Sequence, residues 1–220
     1  MQRLLSSLLT PLYTKAYLPK TYSIFSTMFS YASILQALLA FGMETTFFRY
    51  LNKYPDKRRE VYNNGFGIIF VVSILFLVST VPFTHTLAGW IRIGNDIPQK
   101  EFQLYIRYFI AFLVLDAWCV IPFAKLRADG RPVRYGVIKF INIAVTVTLN
   151  VVFILGIPRW IELHLPGSQW LRGWFVQGWV AYVFLANLVA SFVTLLLLLP
   201  EWMQLRPRLD KTMLKSMLSY

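Results

Sequence analysis

Apolar residues in this chain run in blocks too long for the core of a soluble domain, and short charged clusters separate them. Five blocks are long enough to cross a bilayer as helices: Ile24 to Phe48, Gly65 to Ile91, Phe102 to Phe123, Val133 to Ile157, and Phe175 to Leu199. A spanning helix needs roughly 20 residues to traverse about 30 Å of hydrocarbon. A sixth block, Leu4 to Leu18, offers only about 15 and predicts a first helix incomplete at its N-terminus. The opening MQRLLSSLLTPLY has the basic residue and leucines of a signal peptide. Pro11 and Lys15 interrupt it, however, and no small-residue cleavage site follows. The pattern predicts an all-α, polytopic membrane helix bundle of about six transmembrane helices over residues 1–200, arranged as three hairpins without a sequence repeat. Residues 201–220 follow as a cytoplasmic segment.

The charged clusters orient the bundle, because short loops that retain Lys and Arg stay on the cytoplasmic side. Arg49, Lys53, Lys57, Arg58 and Arg59 follow the second block. Lys125, Arg127, Arg131 and Arg134 follow the fourth, and Arg206, Arg208, Lys211 and Lys215 follow the sixth. The intervening connections carry fewer: Lys20, then Arg92 and Lys100, then Arg159 and Arg172. Both termini are predicted to be cytoplasmic. The connection from Pro158 to Trp174 contains Trp160, Trp170 and Trp174, which suits an aromatic belt at the outer headgroup level.

Composition agrees with this division. Hydrophobic residues make up 57% of the 220 and charged residues only 15%, too apolar a balance for a soluble domain of this length. A net charge of +12 would point to nucleic acid if it gathered on one face or tail. Its dispersal over separate loops excludes that partner and leaves membrane lipids. Cys119 is the single cysteine and lies in an apolar block, so neither an intrachain disulfide nor a cysteine metal cluster can form.

Polar residues within the blocks carry the candidate chemistry. A carboxylate at mid-bilayer costs roughly 2.5 to 3.5 kcal/mol on insertion scales, so it should face protein or a water-filled cavity. Asp116 lies near the centre of its block, too far to reach the interface with a short side chain, and is therefore a candidate for a cavity-facing or coupling role. In the fifth block Lys139, Asn142, Thr146 and Asn150 fall at intervals that place them on one helical face. In the sixth, Asn187, Ser191 and Thr194 do the same, and Ala186 with Ala190 offers a small-residue surface for close packing. Ser23, Ser26, Ser30 and Ser33 line one side of the second block, which ends in Glu44 and Arg49. These faces predict either a lined cavity or interhelical hydrogen-bonding contacts. Lys139 is placed either to face that cavity or to snorkel, and Glu44 and Arg49 either join it or act as ordinary interfacial charges.

His85 and His164 are isolated near the outer interface, without a carboxylate at ligand spacing. No GxSxG, HExxH, P-loop or paired-carboxylate motif occurs, so the sequence gives no support for an enzyme or for a metal site.

Several segments carry a resemblance: LTPLYTKAYLPKTYSIFSTMFSY, FGMETTFFRYLNK, IPFAKLRADGRPVRYGVIKFINI and YVFLANLVASFVTLLLLLPE. Together they resemble the amino-terminal half of bacterial polysaccharide biosynthesis proteins. These are the oligosaccharide flippases of the superfamily that also contains multidrug and toxic-compound extruders and the peptidoglycan lipid flippase. The resemblance covers nearly the whole chain, with GMETTFFR and LRADGRPVR its most specific parts. It implies one six-helix lobe of a two-lobe transporter in the bacterial cytoplasmic membrane, with a central cavity opened alternately to either side. The implied substrate is an undecaprenyl-diphosphate-linked oligosaccharide and the implied cofactor none, beyond a coupling cation, Na+ or H+. Basic residues in the cavity are expected to hold the diphosphate, Arg49 foremost and Lys139 with it. Asn and Ser stripes would meet sugar hydroxyls, and Asp116 would balance charge or answer a coupling cation.

The chain departs from the family pattern in three respects. The first part of the first helix is absent, Ser23 stands where a glycine usually follows the tyrosine, and the chain stops at KSMLSY, where the family's seventh helix begins. A carboxy-terminal lobe is then the expected missing partner, since alternating access rocks one bundle against another. The rival expectations are a small-solute or multidrug exporter on the same scaffold and a non-transporting fragment. A membrane glycan polymerase comes third, disfavoured by the lack of a large outer loop with catalytic candidates.

Overall fold

A computed structural model describes residues 2–91, 97–205 and 210–219, with backbone alone for residues 2–8, 20 and 25. Arg92, Arg206 and Arg208, three of the orienting charges, lie outside the described residues, as does the side chain of Lys20. Among the described residues the chain is helical, without strands. The helices are α1 (Gln2–Ala16), α2 (Pro19–Ala40), α3 (Met43–Lys53), α4 (Arg58–Thr80), α5 (Thr84–Ile91) and α6 (Gln99–Ala128). They continue with α7 (Pro132–Val151), α8 (Ile157–Glu162), α9 (Ser168–Trp174), α10 (Ala181–Leu197), α11 (Leu199–Trp202) and α12 (Lys211–Leu218).

Among the described residues four helical stretches are long and apolar enough to cross a bilayer: Thr21–Lys53, Pro55–Thr80, Gln99–Ala128 and Pro132–Glu162. α10, at 17 residues, sits at the lower edge of the spanning range, and α1, at 15, falls below it. The expected bundle architecture is present, and four of the six blocks meet the length requirement outright.

Where helix ends differ from the apolar blocks, local backbone chemistry decides. The second block breaks between α2 and α3, where Phe41 closes α2 in the left-handed conformation with its N–H on the carbonyls of Ala37 and Leu38. Gly42 follows at φ 63°, a conformation glycine adopts without a Cβ penalty. The third block starts about two turns earlier than its apolar run and stops at Thr80 before resuming as α5. Pro82 lies in the gap, where its missing N–H and its ring oppose a continuous helix. α6, by contrast, passes through Pro122 without ending. α7 runs on through a π-turn at Val152–Gly156 into α8, and Pro158 fits the opening of that last piece. The sixth block starts late, at Ala181, after Gly178 turns the chain at φ 76°. The connection read as an outer loop holds α8 and α9, with Trp160, Trp170 and Trp174 exposed.

The passes alternate in direction, and the basic segments meet at one end. Arg58 at the start of α4 and Lys125 near the end of α6 share Asp129, at 3.2 Å and 2.9 Å. Arg134 in the first turn of α7 meets the buried Glu201 of α11 at 3.0 Å, and the Tyr62 hydroxyl donates to the Glu201 carbonyl at 3.0 Å. α12 docks at the same end, where Asp210 caps it through the N–H groups of Thr212 and Met213. Met213 and Met217 bury their side chains there. At the opposite end the Tyr13 hydroxyl of α1 donates to Asn150 Oδ1 of α7 at 2.9 Å.

Packing centres on α6 and α10. Phe29, Tyr105, Phe109, Phe112 and Phe184 form a run of aromatic contacts across α2, α6 and α10. Ala186 and Ala190 are fully enclosed, so the small-residue face of α10 does bring backbones together. Outward faces are apolar instead: Val71, Leu75 and Val78 on α4 and Val137 and Phe140 on α7 are exposed, at spacings that put each set on one helical side. Such surface is stable against acyl chains rather than water. Ala186→Leu is expected to cost about 1–3 kcal/mol by overpacking, whereas Leu75→Ala on the outward face should change stability by no more than about 0.5 kcal/mol. Reversible unfolding in mixed micelles measures both.

Candidate functional site

An open cavity of about 1060 Å³ is lined by polar and apolar residues of α1, α2, α6, α7 and α10 and by Glu44 of α3. Asp116 is one of its two carboxylates. One carboxylate oxygen accepts from Gln36 Nε2 of α2 at 2.9 Å and the other from Ser191 Oγ of α10 at 2.6 Å. Three helices are thus tied to one charge, whose donors offset part of the cost of removing it from water. Phe112, Asp116, Val120, Phe123 and Arg127 all line the cavity, and their spacing makes them one face of α6.

The polar stripe of α7 is a chain of hydrogen bonds. Asn142 Nδ2 donates to Thr194 Oγ1 of α10 at 2.9 Å, and Thr194 donates in turn to the Ala190 carbonyl at 2.8 Å. The Thr146 hydroxyl donates to the Asn142 carbonyl at 2.9 Å, and Asn150 Nδ2 donates to the Thr146 carbonyl at 2.8 Å. Lys139 lines the cavity and holds its ammonium 4.1 Å from the centre of the Phe123 ring, a cation–π contact. Asn187 lines the cavity from α10 while its amide donates to the Val183 carbonyl at 2.8 Å. Ser26, Ser30 and Ser33 of α2 complete the opposite wall.

At the basic end Glu44 pairs with Arg127. The guanidinium carbon of Arg127 lies 5.2 Å from the Phe48 ring centre and 5.4 Å from that of Tyr135, so two aromatic faces hold it in place. The cavity therefore carries two carboxylates, Glu44 and Asp116, and two cations, Arg127 and Lys139. Its formal charge balances.

Five of the seven sequence-predicted site residues line this cavity: Glu44, Asp116, Lys139, Asn142 and Asn187. Asn150 is 1% exposed and serves as a bridge from α7 to α1. Arg49 is exposed and outside the lining. Five residues of helix separate it from Glu44, a rotation of about 140°, so the two cannot share a face. The inward guanidinium belongs to Arg127, which the loop pattern reads as a topological anchor. Gln36 was also missed, although it continues the Ser26, Ser30, Ser33 spacing by three residues. Cys119 is buried. His85 lies against Gln99 and His164 against Arg172, both away from the cavity. Among the described residues no group of three or more His, Cys, Asp or Glu side chains gathers.

No protein-family model, curated protein or solved structure matches the chain. Gln36→Leu and Ser191→Ala each remove a donor from Asp116 and are expected to cost about 1–3 kcal/mol in reversible unfolding. Asn187→Leu, which gives up only an amide contact to its own helix, should cost less than either.

Proposed function

We propose that the chain forms one lobe of a transporter, rather than an enzyme, in the bacterial cytoplasmic membrane, with its basic end and both termini on the cytoplasmic side. Its proposed cargo is a lipid-linked oligosaccharide carried on undecaprenyl diphosphate, moved by alternating access together with a second, carboxy-terminal lobe. The observation that carries this reading is the axial order of chemistry along the cavity. Arg127 lies in the last turn of α6 and Lys139 about 10 Å into α7 at 1.5 Å per residue, so both cations occupy the basic end. Asn142, Thr146, Ser191 and the serine stripe lie further in. An amphiphile with a charged diphosphate and a hydroxyl-rich glycan matches that order: guanidinium and ammonium groups suit phosphate oxygens, and amides and hydroxyls suit sugar hydroxyls.

Lys139 carries more weight than Arg127 in this scheme, because Arg127 already pairs with Glu44 and must exchange partners to reach a phosphate. Asp116 is the carboxylate available to a coupling cation, Na+ or H+, and a change in its protonation or ion contact would alter the tie between α2 and α10. The balanced cavity charge also suits an exporter of small solutes on the same scaffold, so the charge alone does not choose between the two cargoes.

Binding to the purified chain in lipid nanodiscs separates them. The lipid-linked oligosaccharide should bind, with Lys139→Ala weakening it about tenfold, the loss of one charge-assisted contact. Arg49→Ala should leave affinity unchanged. Binding of a lipophilic cation in its place, unaffected by Lys139→Ala, would assign the cavity to small solutes.

A further inference from the structure

A second cleft, of about 340 Å³, opens at the basic end of the bundle on the other side of α6. It shares no lining residue with the membrane cavity. Lys125 faces the cleft and Arg127 the cavity, as expected for residues two apart on a helix, which point to nearly opposite sides.

The cleft has an apolar floor and a cationic rim. Phe47 and Tyr62, each 1% exposed, form the floor, while Arg58, Arg59 and Lys125 supply three positive charges. Asp129 is the sole carboxylate in the lining and is shared, with Arg58 Nη2 at 3.2 Å on one oxygen and Lys125 Nζ at 2.9 Å on the other. That pairing leaves a formal excess of two positive charges. Lys125 also donates to Gln204 Oε1 at 2.8 Å and lies 5.4 Å from the centre of the Tyr62 ring, so its ammonium is fixed rather than waving in solvent. Among the described residues the Arg59 guanidinium donates to the Gln204 carbonyl, at 3.5 Å, a distance at the limit of a hydrogen bond.

Mutually repelling cations held around one concavity are stabilised by an anion with several acceptor oxygens, and guanidinium pairs fit phosphate geometry. The position adds to this. The cleft opens where α4 and α6 leave their apolar spans, the depth at which lipid phosphates lie and at which basic pockets between helices take anionic headgroups. We propose that the cleft bounded by Arg58, Arg59 and Lys125 is a binding site for a phosphoryl group, supplied by an anionic phospholipid or by free phosphate, separate from the transport cavity. An occupant would brace α4 against α6 and the segment carrying Gln204, joining three elements that meet there by polar contacts alone at the rim.

The test uses the whole purified chain in detergent with added lipid. Native mass spectrometry should find phosphatidylglycerol retained about tenfold over phosphatidylcholine, and Arg58→Gln/Arg59→Gln should abolish that preference. Lys211→Gln/Lys215→Gln removes the same charge from the same end and should preserve it, with thermal unfolding confirming that both variants remain folded. Millimolar inorganic phosphate distinguishes the sources: displacement of the lipid, or a rise in melting temperature without lipid, assigns the site to the phosphoryl group itself. Lipid retention insensitive to phosphate assigns it to the phospholipid. Equal retention of the two lipids with no effect of phosphate overturns the proposal. So does a preference that survives Arg58→Gln/Arg59→Gln, or one lost equally in the α12 variant.

Discussion

Inside a membrane-spanning bundle a polar group must find its partner within the protein, and Asp116 is where that constraint acts most strongly. Its carboxylate receives Gln36 from α2 and Ser191 from α10, so the helix that carries it, α6, is fixed on two sides by one group. The donors are far apart in sequence, and neither helix could rotate by half a turn without leaving a buried polar group unsatisfied, at a cost of several kcal/mol. The small residues Ala186 and Ala190 allow α10 to approach closely enough for Ser191 to reach. Helix packing and polar satisfaction are therefore the same event here. The cavity is the space that remains once α1, α2, α7 and α10 are held at distances set by these contacts.

The two ends of the bundle are built from different forces. At the basic end ion pairs join successive elements: Glu44 with Arg127, Arg58 and Lys125 with Asp129, Arg134 with Glu201. Exposed pairs of this kind contribute little individually, but Glu201 is buried and Arg127 is stacked between two rings, so geometry rather than number gives them their effect. At the far end aromatic stacking takes over, with Phe153, Phe175 and Tyr182 in near-parallel contact. This asymmetry gathers fixed cations at one end of the bundle, and it leaves Asp116 as the one carboxylate further along the cavity lining. The cleft lined by Arg58, Arg59 and Lys125 uses the same surplus of cations on the opposite face of α6.

Much of this was legible in the residues, and the failures have identifiable causes. Asp116 could be placed inward because lipid exposure is too costly, and the spacing of Asn142 and Thr146 gave their shared face without knowledge of any neighbour. Choosing between Arg49 and Arg127 required helix phase, which the break at Phe41 and Gly42 resets. It also required the position of Glu44, whose partner lies 83 residues away. Asn150 continues the stripe by period, but its fate depends on Tyr13, a contact across 137 residues that no local pattern encodes. Helix ends went astray at Pro82 and at Ala181, where hydropathy continues although the backbone cannot. The proposed cargo rests on the resemblance of four segments and on the order of groups along the cavity.

The polar faces of α2, α6, α7 and α10 are expected to line a water-filled cavity within the membrane rather than to form a dry set of interhelical hydrogen bonds. Spin labels at Ser30 and Asn187 on the cavity wall, compared with Val71 and Leu75 on the outward face, test it in a Cys119→Ala background reconstituted into bilayers. Collisional relaxation should be dominated by a water-soluble nickel complex at the first pair and by dissolved oxygen at the second. Oxygen-dominated relaxation at all four positions would contradict the account, because the stripes would then be sealed contacts with no route for a hydrophilic cargo.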